Sequence, residues 1–208
     1  MAERKSSEER REQIIGATLR LVARKGFASV TLRDVAAEVG IVHGLIRHYF
    51  ASRDELVAAA FDHAVTAELA SDEAMLSGLD PVAALAAWFS PTPEDHYLVW
   101  IDAWSEAPRN AALAAAVARH HRDCERILAD VIRRAVAAGA ASSLDVDADS
   151  RMLTALADGM AVQHHAMGIV DARAADEVVF GAVEARLAIA PGTLAAADRA
   201  PARGQWLS

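Results

Sequence analysis

Apolar positions recur along this chain with a helical period, and nowhere with the sustained alternation of a half-buried strand. Between residues 7 and 25, Ile14, Thr18 and Leu21 form one stripe with Ile15 and Val22 beside it, and Gly26 supplies the positive φ that ends such a helix. In TLRDVAAEVG, Thr31 takes the N-cap position and Asp34 follows at N3, near the positive end of the helix dipole. Leu32, Val35, Ala36 and Val39 point inward, and Gly40 stops the segment. VHGLIRHYF reads as a third, short helix with Val42, Ile46 and Phe50 on its inner side. Ser52 and Glu55 make an S-x-x-E capping box that opens a long helix from about 53 to 76.

Proline and glycine punctuate the rest. Asp80-Pro81 reads as N-cap and N1 of a helix to about 89, and Thr92-Pro93 repeats the device for a helix to about 106. Pro108 is expected to start a long helix ended by Gly139. SSLDVDADS is a loop feeding a helix over about 147–167, stopped by Gly168, and a last helix covers about 173–189. Pro191 closes the fold, and 191–208 reads as a flexible tail in which Trp206 is an apolar group able to dock. The expectation is an all-α protein of nine helices, without strands or repeats.

Composition supports this. Of 208 residues 53% are apolar but only 5% aromatic, with alanine filling much of the interior, which suits close-packed helices. Apolar runs such as AALAAAVA (111–118) are far too short to cross a bilayer. The first residues, MAERKSSEERRE, lack the apolar core of a signal peptide. A lone cysteine, Cys124, excludes an internal disulfide framework, and the expected location is the cytoplasm.

Net charge is −8, which at first argues against nucleic acid. Residues 1–55, however, hold ten Lys and Arg against eight Asp and Glu, while 56–208 hold eleven against twenty-one. A mildly basic first quarter on an acidic body suits a small DNA-reading head. The second and third helices are joined by about three residues around Gly40, the spacing of a helix-turn-helix whose second helix enters the major groove. His43, Arg47 and His48 put donors on its outer side, and Gly44 leaves the backbone free to approach DNA. Thr31 and Arg53 sit at helix starts where a phosphate is welcome. A solvated polar face on a small helical bundle fits the spacing equally well.

The residues carry a more specific resemblance. GFASVTLRDVAAEVGIVHGLIRHYFASRDELVAAAF resembles the DNA-binding head of the TetR family of transcriptional repressors over residues 10–61. The shared features are Gly26-Phe27, Thr31, Val35-Ala36, Gly40, Gly44, Tyr49-Phe50 and Ser52 through Leu56. GLIRHYF is most similar to the choline-responsive BetI branch, and WIDAWSEAPRNAAL with LTALADGMAVQ resembles that branch's regulatory body less specifically. Departures sit near Val42, where the family usually has Ser or Thr, at His43, often Lys, and at Arg47, often Tyr. The candidate DNA-contacting set is Thr31, Arg33, His43, Gly44, Arg47, His48, Tyr49 and Arg53.

The resemblance implies a helix-turn-helix domain over 1–55 and a ligand-binding and dimerisation domain over 56–190. It implies a repressor released from a palindromic double-stranded operator by a small-molecule inducer. It also implies a homodimer joined through about 147–189. The residues agree in part: Ala155, Gly159, Ala166 and Gly168 permit close helix approach, and Val178, Val179, Val183 and Leu187 give the last helix an apolar face that needs a partner.

Trp88, Trp100 and Trp104 either line a cavity for a flat or cationic ligand or are core. His120 and Cys124, at i and i+4, either bind metal or pack. Asp158 either points into the ligand site or caps an unmet donor, and His164 and His165 divide between ligand site and interface. No metal or cofactor is expected. An enzyme is not expected either: adjacent His-Asp, Glu-x-x-His, G-x-x-x-x-G-K and H-E-x-x-H are all missing from the sequence. The remaining alternative is a helical ligand-binding or scaffold protein without DNA.

Overall fold

The computed structural model describes residues 6–90 and 94–198, and among these there is no strand. The helices are α1 (Ser7–Lys25), α2 (Leu32–Val39), α3 (His43–Tyr49), α4 (Arg53–Ser77), α5 (Pro81–Phe89), α6 (Glu94–Glu106), α7 (Ala111–Ala137), α8 (Val146–Ala161), α9 (Ala172–Arg186) and α10 (Thr193–Ala197). They divide into two compact units, each discontinuous in sequence. One holds residues 6–67 and 99–120, the other 68–90, 94–98 and 121–198.

In the first unit, α1 packs on α2 and α2 on α3. Ile14, Ile15, Leu21, Val22, Val35, Ile46, Phe50, Leu56 and Phe61 are all buried in this unit. The expected boundaries hold because caps define them. Ser6 and Glu9 close a reciprocal capping box at the start of α1. At α4 the Ser52 hydroxyl accepts the Glu55 N–H (3.1 Å), while the Glu55 carboxylate accepts from Ala51 N–H (2.7 Å). Pro108 does not begin α7: it lies in a 3-10 turn, Ala107–Arg109, and Asn110 is the capping residue, its Oδ1 accepting the Leu113 N–H (3.0 Å). An asparagine amide can satisfy a helix's free donors, and proline's fixed φ serves the tighter turn equally well.

In the second unit, α8 packs on α9, and α10 packs on α5 and α9. Asp80 caps α5 as expected, accepting the Val82 N–H (3.0 Å), while the Thr92-Pro93 start proposed for α6 falls outside the described residues. Two features differ from the sequence reading. The first is α10, where a flexible tail was expected. Leu194 is fully buried, and the buried carboxylate of Glu184 accepts the N–H groups of Gly192 and Leu194 (2.8 Å each). A short segment is thus held by one apolar anchor and one charged acceptor, neither of which has a periodic signature. Trp206 lies outside the described residues. The second is the face of α9. Val179, Val183 and Leu187 are buried within the protomer, and only Val178 of that expected partner-seeking set stands exposed.

Candidate nucleic-acid interface and effector cluster

The turn between α2 and α3 is fixed by Gly40. Its backbone is left-handed (φ +74°), so that Gly40 N–H reaches Ala37 O (3.2 Å) and Ile41 N–H reaches Ala36 O (3.0 Å). This sharp stop lets α3 begin at His43. Ile46 and Phe50 anchor the inner side of α3, leaving His43, Gly44, Arg47 and His48 exposed together. Arg33, His43 and Arg47 make no side-chain hydrogen bond or ion pair with another described residue. The rings of His48 and Tyr49 meet edge to face at 5.3 Å. Six of the eight candidate DNA contacts are therefore available donors or bare backbone. Val42, expected on the inner side, is instead 75% exposed.

Thr31 and Arg53 are placed differently. The Thr31 hydroxyl accepts the Asp34 N–H (3.2 Å) and donates to Asp34 Oδ2 (2.6 Å), so it is committed to the cap of α2. The hydrogen bonds from Lys25 and then Thr31 hold the Asp34 carboxyl down at about 2. Arg53 was expected at a phosphate, but its guanidinium is spent inside the first unit. It donates to Phe27 O, to Val30 O (3.1 Å), to Asp54 (2.9 Å) and to Glu106 (2.8 Å). It is a clamp on the segment that leads into α2.

Asp102 on α6 completes that clamp and was not foreseen. Its Oδ2 accepts the Phe27 N–H at 2.5 Å. A Cβ at Gly26 would lie 3.1 Å from the same oxygen, and Gly26 has φ +77°. Gly26→Ala should therefore cost about 1–3 kcal/mol of stability, from backbone strain before any crowding of Asp102. A urea midpoint equal to wild type would contradict this. The sequence signal was faint: Asp102 and Glu106 are two acids at i and i+4 beside apolar neighbours.

The candidate effector residues are split between the units. In the first, Trp100 is buried, edge-on to Phe61 (5.1 Å) and tilted against Trp104 (5.8 Å). Phe61 also meets Phe27 and His120, each at 6.0 Å. His120 Nε2 sits 2.7 Å from Asp62 Oδ1. Trp100, Trp104 and His120 therefore cluster together in this unit's interior.

Trp88, Cys124, Asp158 and His164 belong to the second unit. Asp158 Oδ2 on α8 lies 3.7 Å from His121 Nδ1 on α7, and His121 Nε2 lies 3.6 Å from Glu125. Burial pushes the Asp158 carboxyl up to about 6, with Glu125 adding to the rise and His121 and His96 opposing it. Glu68 of α4 pairs through Oε1 with His96 Nδ1 of α6, and its buried Oε2 has no hydrogen-bond partner among the described residues. Burial, reinforced by Asp158, Glu68, Asp72 and Asp123, pushes the Cys124 thiol far above the usual thiol range. Such a thiol is neither nucleophile nor ready metal ligand. Among the described residues no group of three His, Cys, Asp or Glu side chains is arranged to hold a metal ion.

After α8 the helix widens into a π turn, Val162–Ala166. The turn carries His164, whose Nδ1 lies 2.8 Å from Val170 O, and His165, which stacks on Tyr97 (4.9 Å, 23° between planes). Glu68, His96, Tyr97 and His121 had no sequence signal beyond ordinary polar positions on helices.

Residues 14–60 match the family model for bacterial regulatory proteins of the tetR family, and residues 82–188 match that for the C-terminal region of BetI-type transcriptional repressors. The chain belongs to the TetR family. It is a helix-turn-helix DNA-binding transcriptional regulator with a BetI-type repressor body, which sets aside the alternative of a helical protein without DNA. TetR-family proteins are regulators rather than enzymes. The chain is 29% identical over 192 residues to the transcriptional regulator BetI of Burkholderia ambifaria (strain MC40-6), a match spanning 86% of this chain and 94% of that one. A 53-residue match to the regulator PksA of Bacillus subtilis (strain 168) is 43% identical and covers 26% of each protein. The fold superposes on a transcriptional regulator from Saccharomonospora viridis solved in complex with choline, with a TM-score of 0.69 and 23% identity over 83% of this chain and 93% of that one. No helix among the described residues is long and apolar enough to cross a membrane.

Proposed function

We propose that this TetR-family protein is a cytoplasmic homodimer whose hold on a palindromic operator is released by a small organic cation. Residues 1–55 read DNA, and 56–190 bind the effector and dimerise. The observation that carries the effector class is Glu68: a carboxylate oxygen is buried without a partner, in the unit that also holds Asp72, Glu125 and Asp158. Among the described residues no Lys or Arg pairs with Glu68 or Asp158. A buried carboxylate oxygen that no donor or permanent cation reaches is costly unless a ligand supplies the charge. Tyr97 adds an aromatic face suited to a cation. The choline held by the Saccharomonospora viridis regulator supports the same chemistry.

The test uses an operator duplex that the protein itself selects from randomised DNA. Choline should weaken binding to this duplex, and 3,3-dimethylbutan-1-ol, its uncharged isostere, should not. Equal effects of the two compounds would rule out the cationic reading.

DNA contact is assigned to Arg33, His43, Gly44, Arg47, His48 and Tyr49. Arg47→Ala should leave stability unchanged and weaken operator binding. The loss is about 1–3 kcal/mol with relaxed preference at one base pair if Arg47 reads a base, or a salt slope lower by about one if it meets a phosphate. Unchanged affinity in the folded variant would remove Arg47 from the interface.

Dimerisation is assigned to α8 and α9. Val183→Asp is not a usable probe, because Val183 is buried inside the protomer and its loss would unfold the chain. Met152 and Val178, exposed at 46% and 47%, are the apolar positions on these helices left for a partner. The Met152→Asp, Val178→Asp double variant should sediment as a folded monomer. A dimer of undiminished affinity would place the interface elsewhere.

A further inference from the structure

Among the described residues of the first unit, Val42 is the one large apolar side chain that stands exposed. Its neighbours Ile46 and Phe50 are buried, so the core of the head is complete without it. Its position is also poor for local stability. Val42 is the N-cap of α3 and makes no side-chain cap hydrogen bond, whereas Ser, Thr, Asp or Asn there would satisfy a free backbone donor. The residue thus contributes neither packing nor capping. Around it stand exposed His43, Gly44 and Arg47, the groups assigned above to the DNA.

An apolar group on a face of donors gains most against an apolar feature of the surface that those donors meet. In the major groove the thymine C5-methyl is the apolar feature of the base edges, and apolar side chains read it by contact. Residues at the beginning of a recognition helix are those that reach base edges when a helix-turn-helix docks. We infer that Val42 is a specificity-determining residue that contacts one thymine methyl in each half-site of the operator. This rests on the DNA-binding reading of α3.

The experiment removes the methyl from each side in turn. Wild-type protein selects a duplex from a pool with twenty randomised base pairs, and each thymine of that duplex is then replaced singly by deoxyuridine. Affinities are measured by fluorescence anisotropy at one fixed salt concentration, for wild type, Val42→Ser and Val42→Thr. In the wild type, one thymine per half-site should show about a three- to five-fold loss on replacement, the scale of one buried methyl. Val42→Ser should bind the thymine and deoxyuridine duplexes equally. Val42→Thr, which keeps one methyl, should retain part of the discrimination. Val42→Ser should also melt no lower than wild type, since its hydroxyl can cap α3, so lost discrimination is not lost fold. Undiminished deoxyuridine sensitivity in Val42→Ser, or none at any thymine in the wild type, overturns the assignment. If wild-type protein enriches no duplex at all, the DNA reading of α3 falls first and takes the assignment with it.

Discussion

Arg53→Ala should lower the thermal midpoint by roughly 6–20 °C. Glu106 is only 9% exposed at its side chain, and Arg53 is its close cationic partner at 2.8 Å. Its other contact, Arg109 Nε, is 3.5 Å away on a side chain two-thirds exposed. Removing one member of such a pair strands the other charge, a loss of about 3–5 kcal/mol, which for a chain of this length corresponds to that shift in midpoint. Phe27 O and Val30 O lose a donor in the same step. Arg53→Lys, which cannot reproduce the forked geometry, should fall between the two. The experiment also separates the clamp from a phosphate contact. Measured well below the midpoint, where the variant is folded, the salt slope of DNA binding should match wild type. A slope lower by about one with an unchanged midpoint would restore Arg53 to the DNA interface.

Asp158→Asn should weaken binding of the proposed cationic effector roughly 10- to 150-fold at pH 8, the range for a lost charged contact of about 1.5–3 kcal/mol. The same variant should be the more stable protein at that pH. Burial raises the Asp158 carboxyl from 3.8 to about 6, so its contribution to folding is fully present below 3.8 and is lost as pH rises through about 6. Above 6 the folded wild type carries a buried charge that asparagine lacks. Urea midpoints at pH 4.5 and pH 8 test this: the advantage of the variant should be larger at pH 8. Effector affinity in the wild type should rise from pH 5 to pH 7 as Asp158 ionises. The groups around it are His121 and Glu125 on α7 and His96 on α6, and a proton on either histidine opposes a cation in the same sense. An equal pH dependence in Asp158→Asn would mean that Asp158 takes no part in holding the cation.

What the sequence made legible followed from local rules. Gly40 had to end α2 because only a left-handed residue permits that turn, and Ile46 with Phe50 had to face inward because His43, Arg47 and His48 fill the outer side of α3. Asp80 before Pro81 could be read as a helix start for the same kind of reason. The clamp could not be read, because Arg53 and Asp102 meet Phe27 from 26 and 75 positions away, Glu106 meets Arg53 from 53 away, and each looks ordinary on its own helix. Arg53 could be read for a phosphate because a cation at a helix start suits a phosphate and a buried carbonyl equally well, and in the fold it reaches the carbonyls of Phe27 and Val30. The tryptophans were joined by chemistry alone, and the fold assigns Trp88 to one unit and Trp100 and Trp104 to the other. Glu68 and His121 escaped notice because a buried carboxylate and a solvated one have the same letter.

The π turn at Val162–Ala166 makes the stack of His165 on Tyr97 a matter of residue count as well as residue type. A π turn holds one residue more than the α-helical path it replaces, and each residue advances a regular helix by about 100°. Deleting the codon for Val162 or Gln163 would restore an unbroken helix and swing the ring of His165 by that angle. Every other side chain in the cluster would keep its identity, and the aromatic stack would be gone from the proposed effector site. If that site holds the proposed cation, a one-residue change of length in this segment would alter its effector without substituting any of the residues that line it.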